Sequence, residues 1–477
     1  MSQNLWTSAE IAAATGGRAG AGFAASGVSI DSRRIARGDL FVALQGPNFD
    51  GHDYIAGALS AGAAGILAHR LPAGIAADAP VVLVGDTLIG LQDLGRVARD
   101  RSPARFIAVT GSVGKTSTKE MLKQVLGAQA ATFASEGNLN NHWGAPLSLA
   151  RMPRDAAIGI FELGMNHAGE IRPLAKMVRP HAAIITAVEA VHIEFFNSVD
   201  EIADAKAEIL EGMEPGGTAI LPRDNPHFAR LRDRAKALGI AHIVTFGAAA
   251  ESDCRLLDCV VGEDGNRVTA SIGGRELAFS MGLAGRHQAL NALAVLAGVA
   301  ALDGDVARAA RDLGATRALK GRGQRETIAL AGGTLLLLDE SYNASPAAMR
   351  AAFTVLGGIR PGAGGRRIAI IGDMRELGAQ GPALHRDLCD AIVAAGIERV
   401  FCVGALMGDL FQILPASLRG HHSVDSLAMV APAIAALRAG DVVLVKGSLG
   451  TRMAPIVDAI RAMDSNATQP RQAANGH

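Results

Sequence analysis

The chain has 477 residues, of which 49% are hydrophobic and 19% charged, enough apolar material for more than one packed core. Lys plus Arg balance Asp plus Glu at 46 each, and only 4% of residues are aromatic. Zero formal charge and few stacking rings argue against a surface built to hold nucleic acid.

At roughly 100–200 residues per domain, two to four domains are expected. Cys254, Cys259, Cys389 and Cys402 form no C-x-x-C pair and lie in apolar surroundings, so they read as reduced, structural thiols. Met1 to Gly17 has no basic stretch followed by an apolar core, so no signal peptide is expected. The longest apolar run, Ala292 to Leu302, falls short of the ~20 residues a membrane span needs. A soluble, cytoplasmic protein is expected.

In chain order, Thr7-Ser8-Ala9-Glu10 offers a helix cap. Leu40 to Leu44 reads as a strand and Tyr54 to Ala64 as a helix, with strands near Gly65 to Ala68 and Val81 to Val84. Ser102-Pro103 marks a boundary. From Phe106 the pattern becomes strand, glycine turn, helix. Phe106 to Thr110, Ile158 to Phe161 and Ala183 to Ala187 are continuous apolar runs of the kind buried in parallel sheets, and Ser117 to Leu126 is a helix. Between Asp253 and Ser280 the period shifts toward two, with a turn at Asp264-Gly265, so a β-hairpin insert is expected. Gln288 to Leu302 returns to helix. Arg317 to Arg325 reads as a linker, and a third α/β unit follows with strands Thr334 to Leu338, Arg367 to Ile371, Arg399 to Val403 and Val442 to Val445. The polar tail after Asp464 reads as disordered.

The strongest chemical signal is Gly111-Ser112-Val113-Gly114-Lys115-Thr116-Ser117, between a buried strand and a helix. Glycines there let backbone N–H groups face phosphate oxygens, and the helix N-terminus adds positive potential. Lys115 suits the β- and γ-phosphates and the Thr116 hydroxyl suits Mg²⁺. The loop is shorter than the common form, because Val109 stands where a first glycine is usual. Glu162 ends a buried strand at the edge where open α/β sheets bind ligands, and His192 follows the next strand on the same edge. A capping acid and a surface imidazole are the plainer readings of these two.

With these residues in place, the chain resembles the Mur ligase family, ATP-dependent enzymes that build the peptide of the bacterial cell-wall precursor. Besides the short phosphate loop, the resemblance rests on Asn138-Leu139-Asn140-Asn141 with Gly144 to Leu149, and on Glu162 to Asn166 with Gly169-Glu170-Ile171. Asp339 to Pro346 and Gly372 to Gly378 complete it. Within the family this combination is nearest to members that add D-alanyl-D-alanine to a UDP-N-acetylmuramoyl-tripeptide. Sister ligases and folylpolyglutamate-type synthases, which add one amino acid, are the alternative; a nucleotide switch without ligation is the rival of another class.

The resemblance implies three α/β domains. These are a small uridine-nucleotide domain (1–103), a central P-loop doubly wound ATPase domain (104–316) and a C-terminal Rossmann-like domain (317–464), with a tail (465–477). It implies ATP and one or two Mg²⁺ ions, with Lys115, Glu162, His192 and Lys206 catalytic and Thr116, Glu162, His192 and Lys206 on the metal. Lys206 would serve as a carbamate, which turns a repelling cation into an oxygen ligand. His287, Asn291, Arg322 and Asp339 would join the phosphate loop on ATP, with Arg325 an alternative to Arg322. The family often has His-Asn where this chain has His287-Gln288, so only His287 and Asn291 carry over. Ser32, Arg33, Phe49, Asp50, Asn138, Asn140, Asn141, Tyr342 and Asn343 would face the substrates. A monomer with no nucleic-acid partner is expected.

Overall fold

The computed structural model describes residues 4–76, 78–262 and 265–464. The chain forms two compact units, one of Met1–Thr186, Ala203–Phe246 and Ala294–Ala309, the other of Ala187–Ile202, Gly247–Leu293 and Ala310–His477. Each draws on several stretches, so neither coincides with a consecutive block of sequence.

The first unit holds two main sheets, beside the two-stranded pairs Trp6–Thr7 with Ala24–Ala25 and Gln45–Gly46 with Phe49–Asp50. The smaller runs Arg18–Ala19, Val81–Leu83, Gly65–Ala68, Asp39–Val42, Gly27–Ser29, parallel except at its Arg18–Ala19 edge. Phe41, Ile55, Ile66 and Val81 fill the core against it. The expected Thr7 cap forms in full: Thr7 and Glu10 satisfy each other's backbone N–H groups at the start of helix Ser8–Thr15, worth ~1 kcal/mol.

The larger sheet orders its strands Thr132–Ala134, Ile158–Glu162, Arg105–Thr110, Ala182–Ile185, Thr218–Pro222, His242–Gly247, all parallel. Strands later in sequence lie on both sides of Arg105–Thr110. The connection after Arg105–Thr110 leads to Thr132–Ala134 on one side, that after its neighbour Ala182–Ile185 to Thr218–Pro222 on the other, and a crevice opens between their carboxyl ends. Val109 pairs with Glu162, which sets that carboxylate beside the phosphate loop.

The second unit contains a three-stranded antiparallel meander, Cys254–Gly262, Gly265–Ile272 and Arg275–Met281. This is the expected hairpin insert with one strand more; Asp264 of its expected turn lies outside the described residues, as does the tail from 465. Its main sheet runs Gln324–Leu330, Gly333–Glu340, Val442–Lys446, Arg367–Gly372, Arg399–Val403, Arg419–Ser423. The expected linker is shorter than read: Gln324 and Arg325 already belong to a strand, paired antiparallel with Asp339 and Leu338. The other neighbours are parallel, and Ile368, Ile370, Val443 and Val445 anchor the core.

All four cysteines are free thiols, as read. Burial pushes the Cys254 thiol up to about 12 and Cys402 further still. Among the described residues no helix is long and apolar enough to cross a membrane.

Candidate functional site

The strand Arg105–Thr110 runs into a four-residue turn and then the helix Lys115–Gly127. Gly114 caps that helix at φ 86°, where an L side chain costs about 1–2 kcal/mol. The first N–H groups of the helix point into the turn, which makes an anion cradle. The Lys115 ammonium folds back and donates to the Gly111 carbonyl at 2.6 Å. The Thr186 hydroxyl braces the turn from the next strand, donating to the Val113 carbonyl at 2.5 Å.

Glu162 is 3% exposed and sits where the fold expects a ligand. Thr116 donates its hydroxyl to Glu162 Oε2 at 2.9 Å, and Asn140 donates its amide to Oε1 at 2.8 Å. Three sequence-predicted residues from three separate motifs thus meet on one carboxylate. The Glu162 backbone N–H donates to the Ser135 hydroxyl at 3.1 Å. Asn141 acts locally, its side-chain oxygen accepting the Trp143 and Gly144 N–H groups at the start of helix Gly144–Arg151. Asn138 is exposed on the same loop.

Lys206 is 2% exposed on the helix Val199–Ala207. Burial, and then the charge of Lys115, hold its ammonium well below the usual lysine range. Its surroundings disfavour the charged form. Nearby in sequence, Glu208 accepts the Gly169 and Arg172 N–H groups at 2.6 and 3.0 Å and so fixes the start of helix Ile171–Val178.

In the small sheet's loops, Ser32 opens a short 3₁₀ turn capped by Asp31. Arg33 lies in solvent and forms a two-pronged pair with Asp31, both contacts at 2.9 Å. Phe49 is 43% exposed and meets the Trp143 ring edge-on, centroids 6.0 Å apart. Asp50 accepts from the backbone and ring of His52 and from Arg70, at 2.9, 2.7 and 2.7 Å. The His52 backbone N–H first, then its ring and Arg70, bring Asp50 down to about 2. His52 Nε2 accepts the His69 N–H, so its Nδ1 carries the proton given to Asp50. Burial, the largest influence, lowers the His52 pKa.

The remaining predicted residues belong to the second unit. His192 has φ 61° and pairs through Nδ1 with Glu376, itself at φ 63°. Only five non-glycine residues among those described adopt positive φ, and two of them face each other here. The Glu194 N–H also donates to the Glu376 carbonyl at 3.2 Å. Strain of this kind persists where surrounding contacts fix it, and it gathers at functional sites.

A cavity in the same unit is lined by Leu283, His287, Arg322, Arg325, Glu340 and Val355, among others. His287 is exposed beside this cavity, and desolvation by the surrounding protein, more than the nearby Lys446, lowers its pKa against the pull of Glu340. Asn291, buried on the same helix, faces Gln288 at 3.5 Å. The Arg322 guanidinium stacks 4.0 Å over the Tyr342 ring. Both residues of the Arg322/Arg325 alternative therefore line one wall.

Asp339 is fully buried, where its carboxylate accepts from Ser341 at 2.5 Å and from Arg461 at 3.0 Å. Asn343 closes a turn by accepting the Ala344 N–H at 2.9 Å, while its carbonyl receives Lys446 Nζ at 3.0 Å.

Sequence reasoning passed over Lys119, Ser135, Glu376, Lys446 and Arg461. Lys119 lies one helical turn beyond Lys115, a spacing that hints at a shared face. That its ammonium is buried depends on the Ser135–Asn141 chain folding over it, which no local pattern records. Glu376 lies inside a quoted motif, but its partner is far away in sequence.

Three family models match consecutive parts of the chain. The Mur ligase family catalytic domain matches residues 24–95, the Mur ligase middle domain 109–299, and the Mur ligase glutamate ligase domain 321–449. The chain is 33% identical over 454 residues to the UDP-N-acetylmuramoyl-tripeptide–D-alanyl-D-alanine ligase of Rickettsia prowazekii, covering 95% of this chain and 99% of that one. Its fold is similar to the crystal structure of MurF from Acinetobacter baumannii, with TM-score 0.84 and 28% identity across 96% of this chain and 99% of the other. It is also similar to the MurF ligase of Thermotoga maritima in complex with ADP, with TM-score 0.77 and 26% identity across 92% and 98% of the two chains. These likenesses span both compact units, and the chain belongs to the Mur ligase family.

Proposed function

We propose that the chain joins D-alanyl-D-alanine to a UDP-N-acetylmuramoyl-tripeptide, cleaving ATP and passing through an acyl phosphate. The observation that carries this is the meeting of Thr116, Glu162 and Asn140 on one buried carboxylate. It ties a phosphate loop to the Asn138–Asn141 motif that marks the dipeptide-adding branch. Near-full-length likeness to ligases of that name, and to an ADP complex, supports the same reading.

The phosphate-loop amides and Lys115 hold the nucleotide's phosphates so that the tripeptide carboxylate meets the γ-phosphorus in line. ADP leaves, and the dipeptide's amine attacks the acyl carbon and expels phosphate. No enzyme nucleophile is required, in keeping with four thiols all raised in pKa, Cys254 and Cys402 of them buried and Cys259 and Cys389 half-buried. His287, Asn291 and Arg322 are proposed to contact the adenosine side, with Asp339 holding their scaffold through Arg461. Ser32, Arg33, Phe49 and Asp50 are proposed for the uridine diphosphate end, and Tyr342 and Asn343 for the peptide.

The donor set fits Mg²⁺. Thr116 and Glu162 offer hard oxygens 2.9 Å apart, and among the described residues no group of three or more His, Cys, Asp or Glu forms a closed cage. Few protein ligands suit an ion that keeps waters and phosphate oxygens. The chemistry such an ion supplies is neutralisation of phosphate charge. Lys206, whose charged form burial disfavours, is proposed to add carbon dioxide, release a proton and become an anionic ligand. His192, its ring oriented by Glu376, is proposed as a nitrogen donor. We further propose a cytoplasmic monomer with three domains divided near residues 103 and 316.

The test is phosphate release with the UDP-linked tripeptide. Turnover with D-alanyl-D-alanine and little with single amino acids supports the reading. Preference for a single amino acid transfers the chain to a sister activity, and nucleotide binding without amide synthesis removes the ligase assignment.

A further inference from the structure

Lys119 is fully buried, which is rare for a lysine and costs several kcal/mol unless every proton finds an acceptor. Here the match is complete. Its ammonium reaches the Ser135 carbonyl at 2.7 Å, the Gly137 carbonyl at 3.3 Å and Glu120 Oε1 at 2.9 Å, three acceptors for three protons. Such an ion is matched atom by atom, and its three acceptors are thereby held in one arrangement.

That geometry leads to the site. Ser135 and Gly137 are where the chain leaves the strand Thr132–Ala134 for the loop that carries Asn140. The Ser135 side chain accepts the Glu162 backbone N–H at 3.1 Å, and the loop returns to place Asn140 on Glu162 Oε1 at 2.8 Å. The Asn140 carbonyl accepts the Gly164 N–H at 2.9 Å, closing the circuit. Thr116, three residues before Lys119 on the same helix, holds the other oxygen of Glu162. One helix therefore grips Glu162 twice: directly through Thr116, and from behind through Lys119 and Ser135.

We propose that Lys119 is a positioning residue which, acting through Ser135, sets Glu162 and Asn140 against the phosphate loop. Its action links the nucleotide helix to the loop expected to meet the peptide substrate. The inference rests on the proposed role of Glu162.

The test compares Lys119→Met, Ser135→Ala and the double variant in the full chain, with ATP, the UDP-linked tripeptide and D-alanyl-D-alanine, alongside thermal unfolding. Lys119→Met keeps an unbranched side chain, one heavy atom shorter, and removes the charge. It is expected to lower kcat about tenfold or more while KM for ATP stays within about twofold, and Ser135→Ala to lower kcat several-fold. Because both act on one relay, the double variant should match Lys119→Met within about twofold. A folded Lys119→Met with wild-type kcat, or multiplicative losses in the double variant, overturns the proposal. Should Lys119→Met not fold, Ser135→Ala decides, since wild-type kcat there breaks the relay. Glu162→Gln separates the two levels. If it retains wild-type kcat, the reading of Glu162 falls; if it is impaired while folded Lys119→Met is not, the inference alone falls.

Discussion

Replacing Glu162 with Gln isolates charge from shape. The carboxylate is 3% exposed and accepts two hydrogen bonds, from Thr116 at 2.9 Å and from Asn140 at 2.8 Å. A glutamine amide has one acceptor oxygen and one donor group. With the Asn140 NH₂ group still facing this side chain, the oxygen turns to that donor, and the new NH₂ then faces the Thr116 hydroxyl. That hydroxyl rotates to accept, and both contacts survive. Stability should therefore change by only about 1 kcal/mol. The negative charge, and the Thr116 lone-pair direction available to a cation, are lost. Removing one preorganised electrostatic group of this kind costs ~10²–10³ in kcat, or about 2.7–4 kcal/mol at ~1.36 kcal/mol per tenfold. The assay is phosphate release with both peptide substrates, beside thermal unfolding of the same preparation. A folded Glu162→Gln variant within about threefold of wild-type turnover would refute the reasoning.

Lys206 should carry a carbamate when the enzyme is supplied with labelled bicarbonate, because burial disfavours the charged form of its amine; an unmodified lysine in active, Mg²⁺-loaded enzyme would dismiss the idea. Asp50 has its pKa lowered in the fold from 3.8 to about 2, so over that range the unfolded chain binds more protons. Its contribution to stability is full above pH 3.8 and lost as pH falls through about 2; Asp50→Asn should flatten that acid limb of the thermal midpoint, though only partly, since the group is partly exposed. Asp339→Ala should cost about 2–3 kcal/mol in urea unfolding by leaving Arg461 with one fewer buried partner, and a loss below about 0.5 kcal/mol would show that the pair is dispensable.

Much of the fold was legible because its strands are short, wholly apolar runs. Arg399–Val403 falls where the hydrophobic run places it, and Ile158–Glu162 and Val442–Lys446 differ by one residue at an end. Elements without such runs went unread. Arg419–Ser423 contains two histidines, and its place is set by parallel pairing with Arg399–Val403. Gln324–Leu330 begins inside a charged, glycine-rich stretch that looks like linker, and becomes a strand because Gly333–Glu340 pairs with it along its whole length. Tertiary pairing decides such segments, and their own composition does not.

The site divides along the same line. Gly111 to Ser117 is legible because strand, turn and helix are contiguous, and the φ values of Gly111 and Gly114 are the ones only glycine adopts readily. Glu162 could be placed at the sheet edge from its position after an apolar run. What the residue patterns could not carry is which hydrogen bond each side chain makes. Asp339, expected on nucleotide, lies in the interior with Arg461, while Lys119, not expected at all, holds the loop that presents Asn140. Each is a buried polar group that, besides a near neighbour (Glu120 for Lys119, Ser341 for Asp339), has a partner at least 16 residues away in sequence. A buried charge must be matched atom by atom, so such pairs are where the fold is most specified and where local pattern is silent. The consequence for this chain is concrete: the residues proposed to touch substrate can be read from motifs, but those that hold them still must be sought among satisfied, inaccessible ions.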